Sequence, residues 1–179
     1  MPRSFSIRAA TENDISAIFM MITELAVFLR EPDAVTLTEK QFRRDFLQFH
    51  PAFNCFVAED DTHTVCGYAL YHSTYSTWQG RSMYLEDLYV QPHRRLRGID
   101  LALLARVAAE AESQGCARLE WSVLLWNKAP LRISERVGAI RMEDWRRMRL
   151  TGEPLSQLAA QAAQRDDGYA HLRESSLIQ

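Results

Sequence analysis

The sequence predicts an α/β (α+β) fold, a mixed β-sheet split near its centre and flanked by helices, and three observations predict it. Strand-like alternation and helical spacing follow one another in the order β-α-α-β-β-β-α-β-α-β. One strand, Met83–Val90, feeds a basic, glycine-containing loop that opens a helix. No repeat or low-complexity linker divides the 179 residues, a length that one domain with its own hydrophobic core accommodates. Residues 1–162 are read as that domain, and 163–179, including Arg165-Asp-Asp-Gly168, as a polar C-terminal tail.

Phe5 and Ile7 alternate with polar neighbours and give a short first strand. Thr11-Glu-Asn-Asp14 has the form of a capping box with Asp in place of Glu. Behind it Ile15, Ile18, Phe19, Ile22, Leu25 and Leu29 recur at helical spacing, so a helix is expected near 12–30, stopped by Pro32. Thr38-Glu-Lys-Gln41 opens a second helix, with Phe42, Phe46 and Phe49 on one face and Pro51 at its end. Asn54–Glu59 and Val65–Thr74 read as a hairpin joined through Asp60-Asp61-Thr62-His63, and Trp78-Gln79-Gly80 turns the chain into Met83–Val90. Helical spacing resumes near 100–114 and ends at Gly115. Leu119–Leu124 is expected as a strand, Ala129–Val137 as a short helix closed by Gly138, and Ala139–Leu150 as a last strand.

Composition removes several function classes. The chain is 47% apolar and 25% charged, with a formal net charge of -2, so no global basic bias favours nucleic acid or an anionic membrane. The paired arginines Arg94-Arg95 and Arg146-Arg147 read as solvated or anion-facing groups, not a nucleic-acid footprint. No apolar run reaches the ~18 residues of a membrane span, and the amino terminus lacks the apolar stretch of a secretory signal. Cys55, Cys66 and Cys116 form no Cys-x-x-Cys pair and read as reduced, mostly buried thiols of a cytoplasmic protein. The histidines show no metal-ligand spacing, so no metal is expected.

The informative stretch is Tyr84-Leu-Glu-Asp-Leu-Tyr-Val90 followed by Gln91-Pro-His-Arg-Arg-Leu-Arg-Gly-Ile-Asp100. A strand that runs into a basic loop at a helix start is an anion site, because free backbone N–H groups and the positive end of the helix dipole converge there. Arg95-Leu-Arg-Gly98-Ile-Asp100 resembles the acyl-CoA signature Gln/Arg-x-x-Gly-x-Gly/Ala of the GNAT superfamily of N-acetyltransferases. From about residue 5 to residue 160 the chain is similar to the spermidine/spermine (diamine) acetyltransferases. The similar pieces include Ile7-Arg-Ala-Ala-Thr11, Glu24-Leu-Ala26, Leu37-Thr-Glu-Lys40, Tyr75-Ser-Thr-Trp-Gln-Gly80, Tyr84-Leu-Glu-Asp87, Trp126-Asn127 and Glu135-Arg-Val-Gly-Ala139, in the family's order.

The resemblance implies acetyl transfer from acetyl-CoA to a primary amine of a small molecule: a diamine, a polyamine or a lysine-like amino acid. It implies that the sheet splits at the acyl-CoA site. Leu88, Tyr89 and Val90 would hold pantetheine through their backbone, and Arg95, Leu96, Arg97, Gly98, Ile99 and Asp100 would cradle the diphosphate. Asn127 and Arg136 would reach the cofactor from the opposite side. Glu86 would act as general base, directly or through water, because an alkylammonium must lose a proton before it can attack a thioester. Trp78, Glu86 and Asp87 would line the amine pocket. The family also implies a homodimer.

Three departures set the expectations apart from the family's. Asp100 stands where the signature has Gly or Ala, and a carboxylate ~4 Å from a phosphate costs about 1 kcal/mol in water and about 4 at an effective dielectric of 20. Ser134 aligns with the family's catalytic tyrosine, and a serine hydroxyl is a far weaker acid than a phenol. Phe28, Leu29 and Ser76 occupy positions where the family presents polar or acidic groups to a polyamine, which favours a shorter amine over spermine. The first two departures leave open an alternative: a catalytically weak protein of the same fold that binds acyl-CoA or a protein partner without efficient turnover.

Overall fold

The computed structural model describes residues 5–162 and resolves into two compact units, one ending at Val137 and one beginning at Gly138. The first unit carries β1 (Phe5–Ala9), α1 (Ile15–Phe28), α2 (Glu39–Leu47), β2 (Asn54–Asp60), β3 (Val65–Ser76), β4 (Gly80–Val90), α3 (Ile99–Ser113), β5 (Arg118–Trp121) and α4 (Lys128–Arg136), with short 3-10 turns between them. The five strands form one sheet in sequence order; β1 to β4 are antiparallel, and β5 joins β4 in parallel after the crossover through α3.

Local signals in the sequence act as expected. Thr11 and Thr38 both make capping boxes, with Asp14 and Gln41 as the reciprocal partners. α3 ends in a Schellman motif: Gly115, at φ 68°, gives its N–H to Glu112, and Cys116 gives its own to Ala111. In the β2–β3 turn Asp60 Oδ1 accepts from the Thr62 and Thr64 amides, which lets His63 take φ 58°. Ser76 Oγ accepts from the Trp78 and Gln79 amides, and Gly80 supplies the φ of 92° that starts β4.

Each face of the sheet buries its own set of side chains. Phe56, Ala58, Ala69, Tyr71, Met83 and Leu85 pack against Ile99, Leu103, Leu104 and Val107 of α3. Cys55, Val57, Tyr68, Leu70 and Tyr89 pack against Ile15, Ile18 and Met21 of α1 and Phe42 of α2. Burying a side chain of this size stabilises the fold by about 1.5–3 kcal/mol. Gly67 fits closely against β4, since a Cβ there would lie 2.9 Å from the Tyr89 carbonyl oxygen and 3.3 Å from Val90 Cγ2.

The second unit departs from expectation. Ala139–Leu150 contains no strand, and residues 152–162 are helical. A turn with Trp145 N–H donating to the Met142 carbonyl interrupts the alternating run. Alternation says which side chains can share a face; a strand also needs a neighbour to receive its backbone hydrogen bonds. The expected tail, 163–179, lies outside the described residues. No described helix is long and apolar enough to cross a membrane.

Candidate active site

β4 positions the site because it outruns its neighbour. The pairing of β4 with β5 ends at Leu85↔Trp121, while β4 continues to Val90. Glu86 to Val90 therefore extend past β5 on that side, and among the described residues only β3 pairs with this stretch, through Leu70↔Asp87, Ala69↔Leu88, Tyr68↔Tyr89 and Gly67↔Val90. Leu88, Tyr89 and Val90 thus stand as a half-paired strand bordering a cleft, the arrangement expected for backbone recognition of an extended ligand.

A β-bulge falls at the start of this stretch. Leu70 pairs with Asp87 and Tyr71 with Leu85, so Glu86 is the extra residue. Before the bulge Met83 and Leu85 face α3; beyond it Tyr89 faces α1. The change of phase turns two consecutive carboxylates toward the same side. Glu86 Oε2 lies 3.7 Å from His72 Nε2 and its side chain is 47% exposed, whereas Asp87 accepts a hydrogen bond from the buried Tyr68 hydroxyl at 3.2 Å. Burial pushes the Asp87 carboxyl up to about 6; the Tyr68 hydrogen bond opposes this, and the nearby Glu86 charge adds to it. Burial also raises the Tyr68 phenol well above its ordinary range.

The loop after β4 is held from both ends. Arg94 pairs with the buried Asp60, and Leu96 and Gly98 take φ of 63° and 76° on the way into α3. Leu96, Gly98, Asp100, Leu101, Ile133 and Arg136 line a cavity of about 240 Å³, so the loop and α4 face one another across it. Asp100 is the second residue of α3, and its Oδ1 accepts the Leu101 N–H at 2.9 Å. The carboxylate thus occupies one of the helix-start donors that a phosphate would use.

Arg95, Ser134 and Ser76 each make contacts that the sequence does not suggest. Arg95 points from the loop toward α1, its guanidinium 4.7 Å from the Phe28 ring and 5.7 Å from the Tyr89 ring, with Nε donating to the Val90 carbonyl. Phe28 in turn meets Trp126, and Tyr89 donates to Glu24. Ser134 donates to the Pro130 carbonyl and accepts from the Trp121 indole, so its proton is already committed. Asn127 caps α4 through its backbone position, with no side-chain cap bond. Ser76 is buried and spends its hydroxyl on the turn.

Trp78 is not brought to Glu86. It is 82% exposed at the tip of the β3–β4 hairpin, roughly 20 Å along the strand from the bulge at about 3.3 Å per residue. No motif speaks for His72 beside Glu86, and no spacing rule predicts the bulge. The latter left a signal: the apolar positions of β4 change from odd (Met83, Leu85) to even (Leu88, Val90) across Glu86-Asp87.

A family model described as "Acetyltransferase (GNAT) family" matches residues 19–139. The chain is 38% identical to a thialysine N-epsilon-acetyltransferase of Mus musculus over 166 residues, covering 87% of this chain and 98% of that one. It is 32% identical to a human spermidine/spermine N(1)-acetyltransferase-like protein 1, covering 87% of this chain and 24% of that longer one. Among solved structures, an aminoglycoside N-acetyltransferase, AAC(6')-Iy, in complex with CoA shares the fold at a TM-score of 0.68 and 16% identity, covering 86% of this chain and 97% of that one.

Proposed function

Since the chain belongs to the acetyltransferase (GNAT) family, we infer that it moves an acetyl group from acetyl-CoA to the primary amine of a small, lysine-like molecule. The observation that carries this reading is the half-paired end of β4, where backbone for a pantetheine, two carboxylates for an ammonium and a helix-opening loop for a diphosphate are consecutive in one strand–loop–helix unit. Relatives described as thialysine N-epsilon-acetyltransferases favour an amino acid with a side-chain amine. The residues agree, since Phe28, Leu29 and Ser76 offer no carboxylates to an extended polycation.

In this account acetyl-CoA lies along Leu88–Val90, its diphosphate against Leu96–Asp100, with Arg136 and Asn127 on the far side. Asp87 and Glu86 attract the substrate ammonium. The ammonium gives up a proton beside Glu86, which exposes the nitrogen lone pair for attack on the thioester carbonyl. Ser134 is spent on Pro130, so water protonates the departing thiolate; thiols titrate near ~8.5 and leave tolerably as anions. Trp78 joins the amine pocket from a second copy of the chain, because within one chain it is a hairpin length away from Glu86; this makes the protein a homodimer. Three free thiols fit a cytoplasmic setting.

Thiol release from acetyl-CoA, measured with lysine, thialysine, short diamines, spermidine and spermine, tests the reading. The lysine-like substrates should give the highest kcat/KM. Binding of acetyl-CoA without turnover of any amine would instead select the catalytically weak alternative, which Asp100 and Ser134 favour.

A further inference from the structure

His72 of β3 sits opposite Tyr84 of β4, its ring 5.5 Å from the tyrosine ring, on the sheet face that carries Glu86. The Tyr84 hydroxyl is 2.7 Å from Ser122 Oγ, just past the end of β5 where the cleft opens. His72 Nδ1 lies 3.3 Å from the Ser73 carbonyl oxygen, a group that can only accept. That contact assigns the proton of a neutral ring to Nδ1 and leaves Nε2 as a lone pair. Nε2 faces Glu86 Oε2 across 3.7 Å. Two acceptors therefore look at one another over a gap slightly too wide for a direct hydrogen bond, with side chains 34% and 47% exposed. An alkylammonium, which has three donors and a positive charge, satisfies both at once.

We propose that His72 and Glu86 act as a pair on the substrate ammonium, Glu86 attracting and orienting it and His72 Nε2 receiving its proton. The proposal rests on the acetyltransferase reading above. An isolated carboxylate is a poor match to this task, since carboxylic acids titrate near ~4 and alkylammonium ions near ~10.4. Imidazole is the side chain whose basicity lies nearest neutral pH, where proton acceptance and release are both fast. The first proton passes from nitrogen to Nε2, and the imidazolium rests against the Glu86 carboxylate. The nitrogen lone pair then bonds to the thioester carbon, the C–S bond breaks, and sulfur leaves with the electron pair. The remaining excess proton on nitrogen ends on sulfur through water, and His72 returns its own to solvent. Ammonium and acetyl-CoA have become amide, CoA thiol and one free proton.

The groups facing His72 are Glu86 and Tyr84 on β4 and, across Tyr84 in the register with β5, Glu120, which is paired to Arg118. Asp87 lies next along β4, and β2 reaches only Asn54, opposite Tyr71. The test is the pH profile of amine kcat/KM, from pH 5.5 to 9, for wild type, His72→Phe, His72→Gln and Glu86→Gln. Phe retains the packing on Tyr84 and Gln retains polarity, and circular dichroism confirms folding. Both His72 variants should lose ~10²-fold or more at pH 7.5, lose the acid-side limb of the profile, and keep the KM for acetyl-CoA. In a third variant, His72→Ala, added imidazole should restore part of the activity. A wild-type rate, or an acid limb that survives in both His72 variants and so belongs to Asp87, overturns the pair. If Glu86→Gln is impaired in that case, the acetyltransferase reading stands without His72. If wild type turns over no amine, the reading itself fails, and the pair with it.

Discussion

Replacing Asp87 with asparagine removes a carboxylate that burial holds protonated up to about pH 6, against an ordinary value of 3.8. Below ~3.9 the group is protonated in folded and unfolded chains alike and has no effect on stability. As pH rises from there to about 6, the unfolded chain releases the proton first, so the folded state loses stability, and the loss persists at higher pH. A shift of two units corresponds to about 3 kcal/mol at 1.36 kcal/mol per unit, and at pH 4.5 the same linkage gives only about 1 kcal/mol. Asparagine keeps an oxygen for the Tyr68 hydroxyl and cannot ionise. Asp87→Asn should therefore be more stable than wild type by up to about 3 kcal/mol at pH 8, an increase in Tm of about 6–12 °C for a chain of this size, and by much less at pH 4.5. Its amine KM should rise. Urea unfolding at the two pH values reads the difference directly. An equal offset at both, or a destabilised variant at pH 8, would refute the claim that Asp87 is held at a cost for substrate binding.

Three further substitutions probe other parts of the account. Asp100→Ala frees the Leu101 N–H and removes a charge beside the phosphates, so acetyl-CoA should bind at least ~5-fold more tightly, about 1 kcal/mol; calorimetry that finds equal or weaker binding contradicts the crowded cradle. Arg8 and Thr11 hold the Asp14 carboxyl down at about 2, so its contribution is present above ~3.9 and lost as pH falls toward 2. Asp14→Asn should lower stability at pH 6 and flatten the acid limb of a thermal-melt profile. Gly67→Ala forces a Cβ to 2.9 Å from the Tyr89 carbonyl and 3.3 Å from Val90 Cγ2, and should cost about 1–3 kcal/mol in urea unfolding while weakening acetyl-CoA binding through β4.

Most of the fold could be read from the sequence because its signals are local. Capping boxes at Thr11 and Thr38, the stop at Gly115 and the Asp60–His63 turn each fix an element end within a few residues. What escaped depends on distant partners. Ala139–Leu150 has a strand's alternation and no strand, since pairing is a property of two segments. In the site, Tyr84–Val90 is legible as a strand and Arg95–Asp100 as an anion loop, and the structure makes them consecutive parts of one strand–loop–helix unit. The direction of Arg95 toward Phe28 and the approach of His72 to Glu86 are contacts across 67 and 14 residues of chain that no spacing rule encodes, and the hydroxyl of Ser134 is taken by the Pro130 carbonyl one helical turn back. Trp78 shows the converse limit: a motif groups it with Glu86-Asp87, while the chain's own fold leaves it exposed at the tip of the β3–β4 hairpin.

The central claim is that acetyl-CoA lies in the opening between β4 and β5, and backbone-amide NMR during a titration with acetyl-CoA tests it most directly. Saturable shifts are expected at Leu88, Tyr89 and Val90, at Leu96–Leu101 and at Asn127, with α2 and the β1–β2 edge unmoved. Shifts centred on those outer elements, or none at millimolar acetyl-CoA, would contradict it.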